Sequence, residues 1–149
     1  EAAAILELAV QARPQDSDAH YWLGRTHELQ GAHDLAVQAM MRATEIDPEF
    51  ASAWWGVGFN YTFQRRCADA LPAQSRYIEL RPDDAGGYYN RAGCRWYTQD
   101  REGSLEDGGK ACEMGHQMAC QHVEKQLKRM QMLEAFEAQR AADQEEEAP

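Results

Sequence analysis

At 149 residues and 44% hydrophobic, the chain has the length of one domain and enough apolar content for a core, which argues against global disorder. A formal charge of −10, with arginines scattered along the chain and not gathered into a stripe, argues against nucleic acid as a partner. No run of about 18 apolar residues is present to span a bilayer, and four cysteines are too few for a disulfide-built miniprotein of this length.

Pro14, Pro48 and Pro82 stand 34 residues apart, and other residues keep the same interval: Ala2, Ala36 and Ala70; Ala19, Ala53 and Gly87; Gly24, Gly58 and Ala92. The chain opens in the middle of such a period, on Glu1 and not on Met, so sequence upstream is expected. Residues 1–16 hold one helical pattern, with Ala2, Leu6 and Ala9 in phase. In residues 17–50, Ala19, Trp22, Leu23 and Thr26 recur at i, i+3, i+4 and i+7, which is one face of a helix. Gly31 interrupts it, and Leu35, Ala36, Ala39, Met40 and Ala43 form a second face that ends at Ile46, before Asp47 and Pro48. Small residues at Gly24, Ala36 and Ala43 let the two helices approach closely, giving an αα-hairpin. Residues 51–84 repeat the arrangement with Pro72 inside the second helix, early enough to be tolerated or else a kink. Residues 85–116 repeat it less well: Arg91 and Gly108 fit their slots poorly, and Gly109 weakens the second helix by roughly 1 kcal/mol against Ala.

These residues resemble the tetratricopeptide repeat. Its pattern Trp-x2-Leu-Gly-x2-Tyr…Ala-x3-Phe…Pro is approximated by YWLGRTH, Ala36, Met40, Ala43 and Pro48, with His20 in the slot of the family's first tryptophan. The next period is closer at its start, with Trp54, Val57, Gly58, Tyr61, Ala70 and Pro82, and departs at Gln74 and Tyr77. Tyr88, Ala92, Ser104 and Ala111 fill slots of the third. The resemblance implies an all-α fold, a right-handed α-solenoid of stacked helix-turn-helix hairpins over residues 1–116. Residues 117–141 then carry Ala119, Val123, Leu127, Met130 and Leu133 on one stripe, expected to cap the stack or, alternatively, to dock on another subunit. The acidic tail, 142–149, is expected to be frayed or solvated.

Catalytic chemistry has no signature here, and neither an enzyme activity, a cofactor, a metal nor a small-molecule substrate is expected. The glycine pairs at 86–87 and 108–109 fall at or inside helical segments and are not phosphate loops. His20, His27 and His33 read as packing or surface residues, because three ligands at that spacing would spread over two turns. Arg65 and Arg66 lie in a helix–helix turn, where a solvated role is favoured over a grip on an acidic partner.

The stretch KACEMGHQMAC presents Cys112, His116, Cys120 and, just beyond it, His122 as possible zinc ligands, but zinc-site cysteines stand two to four residues apart. With Gly115 in a bend between two helices, Cys112 and Cys120 can approach across the turn, leaving a staple, two free thiols or a metal site open. The stretch also resembles the Sel-like repeats, helical relatives of the tetratricopeptide repeat, and that resemblance implies a disulfide between Cys112 and Cys120. Such a bond would place the protein outside the reducing cytosol, in the periplasm or otherwise exported from a bacterial cell, with the cytoplasm as the alternative. Cys67 and Cys94 fall in a turn and on the following first helix, which can bring them close; no second bond is expected.

The resemblance also implies where a partner sits. First helices line the concave surface of such a stack, and carrying over the groove-facing slots gives Tyr21, Arg25 and Glu28, then Trp55, Phe59 and Thr62, then Tyr89, Asn90 and Trp96. This groove is aromatic, not basic. Only Arg25 and Asn90 suit a clamp on a peptide's terminal carboxylate, so that mode is disfavoured. Exposed Trp and Tyr serve as binding anchors because they bury large area with little rotamer loss; part of the stripe can equally be core between repeats. The expectation is a non-catalytic module that holds a peptide or helix of a partner protein, within a larger complex. The alternative is a structural or accessory subunit of a cell-envelope complex that docks through its convex face or its last helix.

Overall fold

The structure, a computed structural model, describes residues 2–146, and among these it contains eight helices and no strand. They are α1 (Ala2–Ala12), α2 (Ser17–Leu29), α3 (His33–Ile46), α4 (Ala51–Phe63), α5 (Cys67–Leu80), α6 (Ala85–Tyr97), α7 (Arg101–Glu113) and α8 (Gln117–Glu146). Contacts are closest within the pairs α2–α3, α4–α5 and α6–α7, and each pair packs on the next through α3–α4 and α5–α6. The fold is therefore an all-α solenoid of stacked hairpins. The acidic tail expected at 142–149 overlaps the end of α8, which runs to Glu146; residues 147–149 lie outside the described residues.

Local chemistry explains where the helices start and stop. Asp16, Asp84 and Asp100 cap α2, α6 and α7, accepting from the backbone N–H of Ala19 at 3.0 Å, Gly86 at 2.8 Å and Gly103 at 3.0 Å. Helices α2, α4, α6 and α7 all stop in one way. A residue with positive φ follows each C-cap: Gly31 (75°), Arg65 (61°), Gln99 (67°) and Gly115 (90°). The next backbone N–H then reaches back to close the turn, Ala32 to His27, Arg66 to Tyr61, Asp100 to Arg95 and His116 to Ala111, each at 2.9 Å.

The core is built from small residues and a few larger ones. Val37, Met40, Val57 and Ala73 form one cluster, with Tyr21, Trp54 and Tyr61 packed against it; Cys67, Ala70 and Cys94 form a second. Gly24 is needed for the close approach of α2 and α3, since a Cβ there would stand 2.5 Å from Met40 Cγ and 3.0 Å from the Ala36 carbonyl oxygen. His20 is tied down in the tryptophan slot much as Trp54 is in the next period: its Nε2 lies 3.1 Å from the Pro14 carbonyl, and the Trp54 indole donates to the Pro48 carbonyl at 2.9 Å.

Several details depart from the periodic reading. Trp22, read on one face of α2 with Ala19 and Leu23, is 56% exposed, because its neighbour Tyr21 takes the inward place against Phe50. Pro72 leaves α5 unbroken from Cys67 to Leu80; it lies on the exposed side, where water can serve the carbonyl that loses its partner. The two poor slots of the third hairpin have compensations. Arg91 donates to both carboxylate oxygens of Asp107 at 2.7 Å, and Gly108 admits Val123 of α8, whose Cγ2 would lie 2.7 Å from any Cβ there. On α8, Leu127 of the apolar stripe is exposed while Gln126 is buried, its Nε2 donating to the Ser104 hydroxyl at 3.3 Å.

Candidate functional site

A crevice of about 190 Å³ opens between α4 and α6 and is floored by α5. Helix α4 contributes Trp55, Phe59, Thr62 and Phe63; α5 contributes Gln74 and Tyr77; α6 contributes Gly87 and Asn90. The one-turn spacing of Trp55, Phe59 and Phe63 places three rings along one edge of α4, with Trp55 stacked on Phe59 at 4.9 Å and Phe63 6.3 Å further on. No charged residue lines the crevice.

Two polar features lie among the rings. Gln74 is buried and donates from Nε2 to Thr62 Oγ1 at 3.0 Å, but its Oε1 has no hydrogen-bond partner. An orphaned buried amide oxygen is costly unless something donates to it. Tyr77 donates its hydroxyl to Asp84, the cap of α6, and burial followed by this hydrogen bond pushes the phenol up to about 12. The tyrosine therefore stays neutral while it holds α5 to the start of α6.

Of the groove residues named from the sequence, the structure brings Trp55, Phe59, Thr62 and Asn90 together in this crevice. The others lie elsewhere. Tyr21 packs on Phe50 at 4.9 Å and against the first core cluster. Arg25 is paired with Glu28 on its own helix, and Glu28 also accepts from Asn60 Nδ2 at 2.8 Å. Tyr89 stacks on His116 at 4.5 Å and meets His122 edge-on at 6.2 Å, against the α7–α8 turn. Trp96 borders a separate hollow with Arg101, Arg129 and Leu133.

Sequence reading overlooked Gln74 and Tyr77 as site residues, although both were visible as departures from the family pattern. It also overlooked Asn60, which is fully buried and joins three helices: its Oδ1 lies 2.8 Å from His33 Nδ1 and its Nδ2 donates to Glu28 and to the Gly56 carbonyl, each at 2.8 Å. A polar residue at an inward helical slot was the available signal. The 34-residue interval also marks Leu29, Phe63 and Tyr97, each the last residue of its helix and each largely exposed.

The histidines do not converge. His20 and His33 are each engaged as described, and the His33 ring lies tilted against Phe63 at 4.2 Å. Among the described residues no three His, Cys, Asp or Glu side chains gather into a metal-binding group. Arg66 ion-pairs with Asp69 at 2.8 Å and lies over the Tyr61 ring at 4.6 Å, while Arg65 occupies the positive-φ turn. Cys112 and Cys120 face each other across the α7–α8 turn, with Cα atoms 4.7 Å apart and sulfurs at bonding distance. No helix among the described residues is long and apolar enough to cross a membrane.

Comparison with known proteins bears on this architecture. Residues 1–57 match the family model of the tetratricopeptide repeat, and no curated protein matches the chain. Among solved structures, a double mutant of MamA RS-1 is similar with a TM-score of 0.82 at 18% identity, over 99% of this chain and 86% of that one. A crystal structure of MamA gives 0.72 at 20% identity over 78% of this chain, which spans 64% of that one's length. The first tetratricopeptide domain of Spaghetti (RPAP3), bound to the HSP90 peptide SRMEEVD, gives 0.71 at 18% identity, over 78% of this chain and 94% of that one. Residues 1–57 thus carry the sequence pattern of the tetratricopeptide repeat, and the stacked hairpins that run through the described length share the fold of these solved structures.

Proposed function

We propose that the chain is a non-catalytic interaction module that takes a peptide or helix of a partner protein in the crevice between α4 and α6. Gln74 carries this reading: its side chain, whose buried amide oxygen has no donor, lines a hollow walled by four aromatic rings, which suits a side chain that has an apolar body and an N–H group. The hollow has room for one such large side chain. A formal charge of −10 favours a partner segment that is basic around this anchor. RPAP3 is bound to SRMEEVD, a peptide rich in glutamate. The present crevice offers no cation to such a sequence, so the partner chemistry differs.

A second reading has its own support. Helix α8 is 30 residues long, and Leu127 on its first half and Met132, Leu133 and Phe136 on its outer half are exposed. An accessory subunit of a cell-envelope complex would use such a helix to dock, and a disulfide between Cys112 and Cys120 would brace its base in an exported protein.

The two readings separate in one experiment. Tagged full-length chain is recovered from its native source without reductant, and the stoichiometric partner is identified by mass spectrometry. Loss of that partner on Trp55→Ala with an unchanged helical circular-dichroism spectrum, and its retention when residues 131–149 are deleted, is the expected result. The reverse pattern makes α8 the docking element and removes the crevice from the account.

A further inference from the structure

We infer that Cys67 and Cys94 form a second disulfide, one that bolts consecutive hairpins together beneath the crevice. Cys67 opens α5 and Cys94 lies in α6, and the two buried sulfurs stand 2.7 Å apart. That separation suits neither of the other arrangements open to two thiols. Zn–S bonds of about 2.3 Å would hold two sulfurs of a tetrahedral site roughly 3.8 Å apart, and no third ligand stands by among the described residues. Two unbonded sulfurs prefer a comparably long contact, whereas a disulfide needs only a further closing to about 2.05 Å.

The repeat itself brings these two positions into contact. One period earlier they are His33 and Asn60, which have the same separation of 27 residues and bond directly at 2.8 Å. The geometry of the stack thus sets the opening residue of each second helix against one inward slot of the following first helix. In this period both positions are cysteine.

Forming the bond requires an oxidant, and a low-molecular-weight disulfide supplies it. The thiolate of one cysteine attacks the reagent's S–S bond and expels one thiol; the second thiolate then attacks the mixed disulfide and expels the other. The two cysteines lose two protons and two electrons, and the reagent becomes two thiols. Burial and the Cys94 contact push the Cys67 thiol up to about 12, so little thiolate exists once the hairpins have docked. The bond therefore forms during folding and is shielded afterwards. Its place matters for the site, because Cys94 Sγ lies 3.3 Å from Thr62 Oγ1 and 3.6 Å from Gln74 Nε2, two residues that line the crevice. Fixing α5 to α6 sets the position of the crevice floor relative to its wall.

The test uses the full chain, reduced and unfolded, then refolded in a mixture of reduced and oxidised glutathione. Alkylation under denaturing conditions and peptide mapping follow. A linked Cys67–Cys94 peptide, with neither cysteine alkylated, is expected in the wild type and again in Cys112→Ser/Cys120→Ser. Alkylation of both Cys67 and Cys94 in refolded wild type overturns the inference, as does a link from either one to Cys112 or Cys120. Reduced glutathione is expected to open the bond at least about tenfold more slowly in native protein than in denaturant; equal rates would show that the bond is not at the buried site and would also overturn it.

Discussion

Asp107 holds the third hairpin together through charge. Its side chain is 4% exposed and receives Arg91 through two hydrogen bonds of 2.7 Å, with the Arg95 guanidinium at 3.2 Å. Arg91 also donates to Ser75 at 3.1 Å, so the same side chain ties the hairpin to α5. The hydrogen bond to Asp107 raises the Arg91 guanidinium above its ordinary range, which keeps it charged at any working pH. Removing one partner from such a pair leaves the other half-buried and unpaired. Asp107→Ala is therefore expected to lower stability by about 3 kcal/mol, read as a fall in the urea midpoint. Arg91→Met with Asp107→Leu should recover much of that loss, because an apolar pair needs no desolvation compensation. The same residues show why the third repeat reads poorly as sequence. An Arg in an apolar slot looks like a defect until the Asp sixteen residues later, on the facing helix, is seen to complete it.

At the scale of the helix and its turn, one device recurs. Gly31 and Gly115 announce their positive φ in the sequence, since glycine takes that conformation freely. Arg65 and Gln99 adopt it without any such signal, because the backbone hydrogen bonds Arg66 to Tyr61 and Asp100 to Arg95 and the packing of the flanking helices impose it. Both side chains are exposed, so Arg65→Gly and Gln99→Gly are each expected to raise the thermal midpoint, by the equivalent of about 1 kcal/mol. The hairpins and their period were legible because 34-residue spacing repeats three times and tolerates local misfits. The crevice was legible only on its α4 and α6 walls. Its floor comes from Gln74 and Tyr77, which replace family-typical residues, and a pattern search registers such residues as mismatches and not as a site.

Helix α8 has its own sensitivity. His122 contacts the Tyr89 ring and the buried Gln126, and burial, then Lys125, lowers its pKa from 6.5. A histidine held neutral in the fold adds stability that is fully present above the unfolded value of 6.5 and lost as pH falls through the lowered folded value. Amide exchange in the first half of α8, corrected for intrinsic rates, should thus accelerate relative to α4 as the solution is acidified below about 6.5. In His122→Gln that differential should vanish, and a persistent one would assign the effect to another group.

Across the whole molecule, cohesion is uneven. Each helix packs chiefly on its chain neighbours, so the stack approximates a row of units joined by nearest-neighbour interfaces. The two apolar clusters lie at its middle, from α3 to α6, where Met40 and Cys94 are fully sealed. The α6–α7 pair is instead held largely by the Asp107 network and by Ser104, and α1 has no buried residue. Local opening should follow this gradient: amides of α3, α4 and α5 exchange slowest, and those of α1 and of α8 beyond Leu127 fastest. Asp107→Ala then becomes a test of how far the units are coupled. If interfaces act between neighbours only, native-state hydrogen exchange should speed up in α6, α7 and α8 and stay unchanged in α2 and α3. An equal acceleration from α2 to α8 would mean that the stack opens as a single cooperative body. In that case Trp55→Ala would disturb every surface at once, and partner binding would have to be judged against a folded control such as Leu29→Ala on the exposed end of α2.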